Sequence, residues 1–362
     1  MRWLLPLVFV WAAAAAAAQP ASFTPLGDFP GGIVNSEARA VSADGSVVVG
    51  RGTTAVGREA FRWDATNGMQ GLGTLPGGGA SEADDVSDDG TIIVGFAFNA
   101  AGEKEAFAWD ALNGMQGLGF LPGHDASGAN GISPDGVYVL GNSRGASGPV
   151  AFRWSAAAGM EALDAPAGAA SASSLHGSVV VGQADVHEPF RWDAVGGTQL
   201  LGSVPGNNRS WATAVTLDGS TVFGGGQATA DGNAFRWDAA SGLQNLGCLS
   251  PFPAICLSIV HDVSADGQRA VGGPLWAFVW EPLSGMRFLQ DLLEDEGIDL
   301  SDWTLREAEG VSPDGTIIVG HGTNPNGDTE AFVAVLPEPG ALLGFGAGAS
   351  LLAGLARRRA RG

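Results

Sequence analysis

The stretch Glu37 to Gly50, E-A-R-A-V-S-A-D-G-S-V-V-V-G, decides how this chain is read. Glu37 to Ser42 can run as a strand. Asp44-Gly45 turns the chain, as Asp-Gly does in tight hairpins. Ser46 to Gly50 makes a second strand, rich in β-branched residues that fit a pleated surface. A variable loop follows, Arg51 to Arg58. Glu59 to Trp63 (E-A-F-R-W) is a third strand, Asn67-Gly68 a further hairpin turn, and Met69 to Leu72 a fourth strand. Gly73 to Gly79 (G-T-L-P-G-G-G) leads onward.

The phrase then returns. Its turn glycines are Gly45, Gly90, Gly136, Gly177, Gly219, Gly267 and Gly315, spaced 41 to 48 residues apart. A fixed period in this range marks a repeat architecture. Four short antiparallel strands in about 45 residues make one blade of a β-propeller. The expected fold is therefore all-β: a seven-bladed β-propeller of four-stranded repeats over residues 22–336. The seventh unit ends at A-F-V-A-V-L (Ala331 to Leu336) without its L-G strand. Phe23 to Gly27 (F-T-P-L-G) supplies such a strand at the other end. A ring closed by the N-terminal strand follows, with no sheet edge left open to aggregation.

Phe61 and Trp63 sit two apart and share one face of their strand. The pair recurs at Phe107/Trp109, Phe152/Trp154, Phe190/Trp192, Phe235/Trp237 and Phe278/Trp280, so it reads as packing between blades. Arg62, Arg153, Arg191 and Arg236 alternate with these aromatics and need acidic partners when partly buried. The turn aspartates are the nearest candidates. The fourth unit is the most eroded, with Ser174-Leu175-His176-Gly177 at its turn. An insertion, Gln290 to Leu305, separates the sixth and seventh units and reads as a helical turn or a lid.

Both ends carry other signals. Arg2, the apolar stretch Trp3 to Val10 and the alanine run Ala12 to Ala18 read as a secretory signal peptide over residues 1–18. At the C-terminus, Pro337-Glu338-Pro339 precedes an apolar segment, 340–356, and then Arg357, Arg358 and Arg359. That segment is at the short limit for a membrane-crossing helix, with the arginines on the cytoplasmic side. The chain carries a net charge of −20. Five of its arginines lie in the two ends, so the body between them is more acidic still. Such a surface excludes nucleic acid and anionic membranes as partners. Cys248 and Cys256 suit a disulfide in an oxidising compartment, worth about 2–3 kcal/mol for so short a loop.

No metal, phosphate or nucleophile motif is present. The five histidines, His124, His176, His187, His261 and His321, fall at unrelated repeat positions and read as exposed loop residues, with the alternative that three of them meet on one propeller face as a metal site. Calcium is the one cofactor the acidic turns would admit, at Asp84, Asp85, Asp88 and Asp89 or at Asp262 and Asp266. They lack the spacing of dedicated calcium loops, and a turn Asp is explained by backbone hydrogen bonding alone. Thus no catalytic, cofactor or metal residue is assigned.

The P-E-P, apolar segment and arginine cluster resemble the PEP-CTERM sorting domain of Gram-negative bacteria. That resemblance implies an exosortase-type processing enzyme as partner, transient inner-membrane anchoring, and a secreted or cell-surface protein linked to exopolysaccharide. The repeats resemble the HAF family of extracellular repeats through L-G-x-L-P-G-G, V-S-x-D-G and A-F-x-W. Here Glu59-Ala60, Glu105-Ala106 and Asn233-Ala234 depart from the family's His before A-F. The resulting expectation is a non-enzymatic binding or structural protein of the extracellular matrix, with ligands met by the L-P-G-G loops and by the variable loops between the second and third strands of each unit (the b–c loops). The rival is a glycan-active hydrolase or lyase, which needs only two suitably placed carboxylates.

Overall fold

The computed structural model describes residues 19–338, apart from 165–167, 174–176, 185–186, 206–207, 228–230 and 250–255. Antiparallel sheets make up nearly all of it. There are five four-stranded sheets, one eight-stranded sheet and a two-stranded ribbon. The eight-stranded sheet consists of the fifth and sixth repeats, joined through the pairing of Gly225 with Ile259. Within each repeat the chain runs back and forth through hairpins. In the first, Glu37–Val41, Val48–Thr54, Gly57–Asp64 and Gly68–Gly71 pair in sequence order.

The V-S-x-D-G phrase is a self-satisfied turn. Ser42 Oγ donates to Asp44 Oδ1 at 2.8 Å and accepts from the Val47 amide at 3.0 Å. The Ser46 amide donates to the same Asp44 oxygen at 2.9 Å. Gly45 adopts a φ of 72°, which a side chain disfavours. The pattern repeats at Ser87/Asp89, Ser133/Asp135, Thr216/Asp218, Ser264/Asp266 and Ser312/Asp314. These turns also link neighbouring units. Ala43 N donates to Asp88 O, Asp88 N to Pro134 O, Leu217 N to Ala265 O, and Ala265 N to Pro313 O.

Apolar residues of adjoining repeats interlock between the sheets. Phe107 of the second unit is buried among Val47, Val49 and Ala60 of the first. Phe61 of the first packs with Val319 and Ala331 of the seventh, and the sheets therefore meet around a closed circuit. The strand Ser22–Gly27 pairs antiparallel with Thr329–Val335, from Ser22 opposite Val335 to Gly27 opposite Ala331. The N-terminal strand thus completes the sheet of the seventh repeat. Ser36 fastens it further, donating to Gly27 O at 2.6 Å and accepting from the Ala331 amide at 3.0 Å.

The insertion forms one short helix, Leu289–Asp295. Leu289, Leu292, Leu293, Leu300 and Leu305 are buried with Ile318, Phe332 and Leu336. The ring of Trp303 meets Phe23 edge-on at 5.0 Å. It is a wedge between the sixth and seventh units, not a lid. No helix among the described residues is long and apolar enough to cross a membrane.

Candidate functional site at the central channel

The innermost strand of every repeat carries a β-bulge at one place. Pairing skips from Ala38 to Ala40, Ala83 to Asp85, Ala129 to Gly131, Ala170 to Ala172, Ala212 to Ala214, Val260 to Asp262, and Ala308 to Gly310. The skipped residues are Arg39, Asp84, Asn130, Ser171, Thr213, His261 and Glu309. A bulged residue leaves the ladder and its side chain is re-aimed. All seven line one cavity of about 270 Å³ at the centre of the ring. The glycine ending each V-V-V-G run makes the bulge fit. A Cβ on Gly50 would stand 2.0 Å from Glu37 O, and one on Gly95, Gly141 or Gly320 as close to the matching carbonyl.

Around this ring the repeat gives up its regularity. The residue before each bulge is Ala or Val, while the bulged position is polar and differs in every unit. Two residues earlier on the same face come Glu37, Glu82 and Glu307. Toward the D-G turns lies a second cavity of about 130 Å³, walled by Val41, Val86, Ile132, Val215, Val263 and Val311 together with Asp85, Asp88 and Asp262.

The polar ring has two charged sectors. In one, Arg39 lies 3.8 Å from Asp84, 3.8 Å from Glu82 and 3.5 Å from Glu37. Arg51 donates from Nε to Glu37 at 2.9 Å, and Arg58 pairs with Glu82. Burial pushes the Asp84 carboxyl up to about 6, although Arg39 opposes the shift. In the other sector, His261 Nδ1 is 3.0 Å from Glu309 Oε2 and 3.9 Å from Glu307 Oε2. Burial acts against every charge here. The His261 and Arg39 charges nevertheless hold Glu309 below the usual carboxylate range. Glu307 is pushed up by burial and by facing Glu309. Burial alone would lower His261, but the two glutamates keep it raised. Five buried side-chain polar atoms among the described residues have no hydrogen-bond partner. Three of them, Arg39 Nε, His261 Nδ1 and His321 Nδ1, belong to this neighbourhood. Buried polar groups without partners are rare and call for a physical explanation.

The sequence-expected residues fall elsewhere. The six acidic residues considered for calcium do not gather on one point. Asp89 and Asp266 cap their own turns. Asp85 accepts from Val86 N and Ile132 N, both at 2.8 Å, and Asp262 from Val263 N and Val311 N at 2.7 and 2.9 Å. Those two carboxylates stitch neighbouring units together, while Asp84 alone faces the polar cavity. The strand arginines pair within their own repeat, three of them with the aspartate that caps the hairpin turn following the strand, not the D-G turn: Arg62 with Asp64, Arg191 with Asp193 at 2.6 Å and Arg236 with Asp238 at 2.8 Å, while Arg153 lies 3.6 Å from Glu161. His261 and His321 are strand residues of the channel region, not loop residues. His176, Pro339, residues 1–18 and the tail with Arg357, Arg358 and Arg359 lie outside the described residues. Pro337 O accepts from the wholly buried Arg269 at 2.9 Å, and Glu338 is exposed. Cys248 is disulfide-bonded, and Cys256 is the chain's other cysteine.

Nothing in the single phrase pointed to the channel residues. Stacking the repeats on their V-S-x-D-G turns would have exposed them, because the position three before the turn Ser or Thr is polar and never the same.

No protein-family model and no curated protein matches the chain. Solved structures do match its fold. An oligogalacturonate lyase from Vibrio parahaemolyticus aligns over 90% of this chain and 99% of its own, at 11% identity and a TM-score of 0.55. A TolB from Acinetobacter baumannii aligns over 86% of this chain at 12% identity and a TM-score of 0.46, and this chain spans 65% of its length. The fold is therefore that of the β-propellers. The expectation of a non-enzymatic matrix protein is corrected. The whole-length likeness is to an enzyme's fold, and the irregular polar residues gather in a channel instead of on the L-P-G-G and b–c loops.

Proposed function

We propose that this chain is a seven-bladed propeller enzyme acting on glycans, a hydrolase or a lyase, with its chemistry in the central channel. The observation that carries the reading is the ring of bulged residues. Each repeat commits the residue at the same bulge of its innermost strand to one cavity, and Asp84 is held there by burial near neutrality beside Arg39. A carboxyl that titrates close to working pH is suited to proton transfer in either direction. Arg39 supplies positive charge beside it, where oxyanion character develops at a leaving sugar oxygen or in a uronate carboxylate. The oligogalacturonate lyase offers a precedent for such work on this fold. The leader-like and sorting-like ends support an extracytoplasmic place of action, which the mass of the mature protein would test.

The experiment is incubation of the purified chain with neutral and uronate-containing oligosaccharides, read by mass spectrometry. Hydrolysis adds one water across the products, whereas elimination adds none and leaves an unsaturated sugar. Asp84→Asn is expected to lower turnover by about 100-fold or more. Absence of turnover on every substrate, or turnover untouched by Asp84→Asn, would sink the reading.

A further inference from the structure

We propose that His261, Glu307 and Glu309 bind a divalent first-row transition-metal cation at the channel wall formed by the sixth and seventh repeats. The inference deepens the reading of the channel as the working site, but its geometry and its test are separate.

One ligand atom from each of the three side chains lies within 4.8 Å of the other two. His261 and Glu309 are the bulged residues of adjacent repeats, and Glu307 stands two residues before Glu309 on the same strand face. The bulges thus aim groups from two separate strands at one point. Gly273 leaves room for the third, since a Cβ there would come within 2.9 Å of Glu307 Cγ.

His261 Nδ1 carries a second, independent sign. It is shielded from solvent and lies 3.0 Å from a Glu309 oxygen, at ion-pair distance but off the line of a well-aligned hydrogen bond. A ring nitrogen this near two carboxylates stands where a shared cation would draw all three groups together. Two carboxylates and a neutral imidazole would balance the charge of a divalent ion.

The donor set decides among cations. One imidazole with two carboxylates suits Mn²⁺ or Zn²⁺, whereas Ca²⁺ calls for six to eight oxygens. Three protein ligands would leave positions for oxygens of a bound sugar. The ion would also neutralise an acidic channel wall, where an anionic glycan would otherwise be repelled.

The test is titration calorimetry of the chelator-treated full chain with Mn²⁺, Zn²⁺ and Ca²⁺, with elemental analysis of the metal retained. One Mn²⁺ or Zn²⁺ per chain is expected, with Ca²⁺ bound at least tenfold more weakly. His261→Ala and Glu309→Gln should each weaken Mn²⁺ or Zn²⁺ binding by at least tenfold, with circular dichroism and melting temperature preserved. Where either variant fails to fold, the visible spectrum of the Co²⁺-loaded wild-type chain decides instead, through ligand-field bands of a mixed nitrogen–oxygen site. Asp84→Asn should keep the metal while losing turnover, which separates this proposal from the enzymatic one. Failure of both Mn²⁺ and Zn²⁺ to bind, binding that survives His261→Ala, or equal affinity for Ca²⁺ would overturn it.

Discussion

Two rings of residues line the same channel, one above the other, and they obey opposite rules. The ring at the turn end is Val41, Val86, Ile132, Val215, Val263 and Val311, nearly one residue type in six of the seven units, with Asp85 and Asp262 held beside it by backbone amides. The ring at the bulges is Arg39, Asp84, Asn130, Ser171, Thr213, His261 and Glu309, no two alike. The first seals the axis and belongs to the scaffold. The second buries charge, leaves polar atoms without partners and contributes little to packing. Regularity in this chain marks what holds the ring together, and loss of regularity at a fixed position marks what the ring is for.

That contrast can be broken from the scaffold side first. Arg269 is wholly buried, donating to Glu281 at 2.6 and 3.1 Å and to the carbonyl of Gly315 at 2.6 Å. Arg269→Met strands the Glu281 carboxylate and two carbonyls, and urea denaturation should show a loss of about 3–5 kcal/mol. Next comes Gly50→Ala, whose methyl would collide with Glu37 O. A loss of about 3 kcal/mol is expected, and a small one would mean that the bulge has room to spare.

The sharpest comparison makes the same chemical change in both places. Ser312 is buried within a turn, donating to Asp314 at 2.6 Å and accepting from the Ile317 amide at 2.9 Å. Ser312→Ala should cost about 1–2 kcal/mol, because the Ile317 amide loses its acceptor. Ser171→Ala, at a bulge, should change stability by no more than about 0.5 kcal/mol. Equal costs would erase the distinction between the rings.

A further difference concerns pH. Burial raises the Asp85 carboxyl to about 7 in the folded chain, against an unfolded value near 3.9. The folded state therefore holds a proton that the unfolded state has released. This contribution is fully present below about pH 4 and is lost as the pH rises toward 7. Asp85→Asn should flatten that part of the stability profile relative to the parent chain, and an unchanged slope would reassign it to other groups.

Much of the scaffold was readable because it is local and repeated. Asp-Gly turns, β-branched strands and aromatic pairs two apart each act over a few residues. The pairing of the first and last strands was readable too, since the seventh unit lacks a strand that the N-terminus possesses. The channel was hidden for a physical reason. A bulge shifts register by one residue without changing composition, so Arg39 and Glu309 look like ordinary strand residues. His261 and Glu307 are 46 residues apart and meet only when neighbouring sheets pack. Asp84 and Asp85 show the same effect: they are adjacent in sequence, yet Asp84 lines the polar cavity while Asp85 accepts from the Val86 and Ile132 amides.

The strand Ser22–Gly27 has one more consequence, and it concerns time. Its partner, Thr329–Val335, lies about 300 residues later, so the Gly27 amide cannot reach Glu330 until nearly the whole chain exists. Synthesis delivers the N-terminus first, and its strand must wait, unpaired, for the last part of the folded body to emerge. The ring is thus a lock thrown last. A polypeptide cut short anywhere before Val335 leaves an open edge at both ends, and quality control can read that edge as a signature of incompleteness.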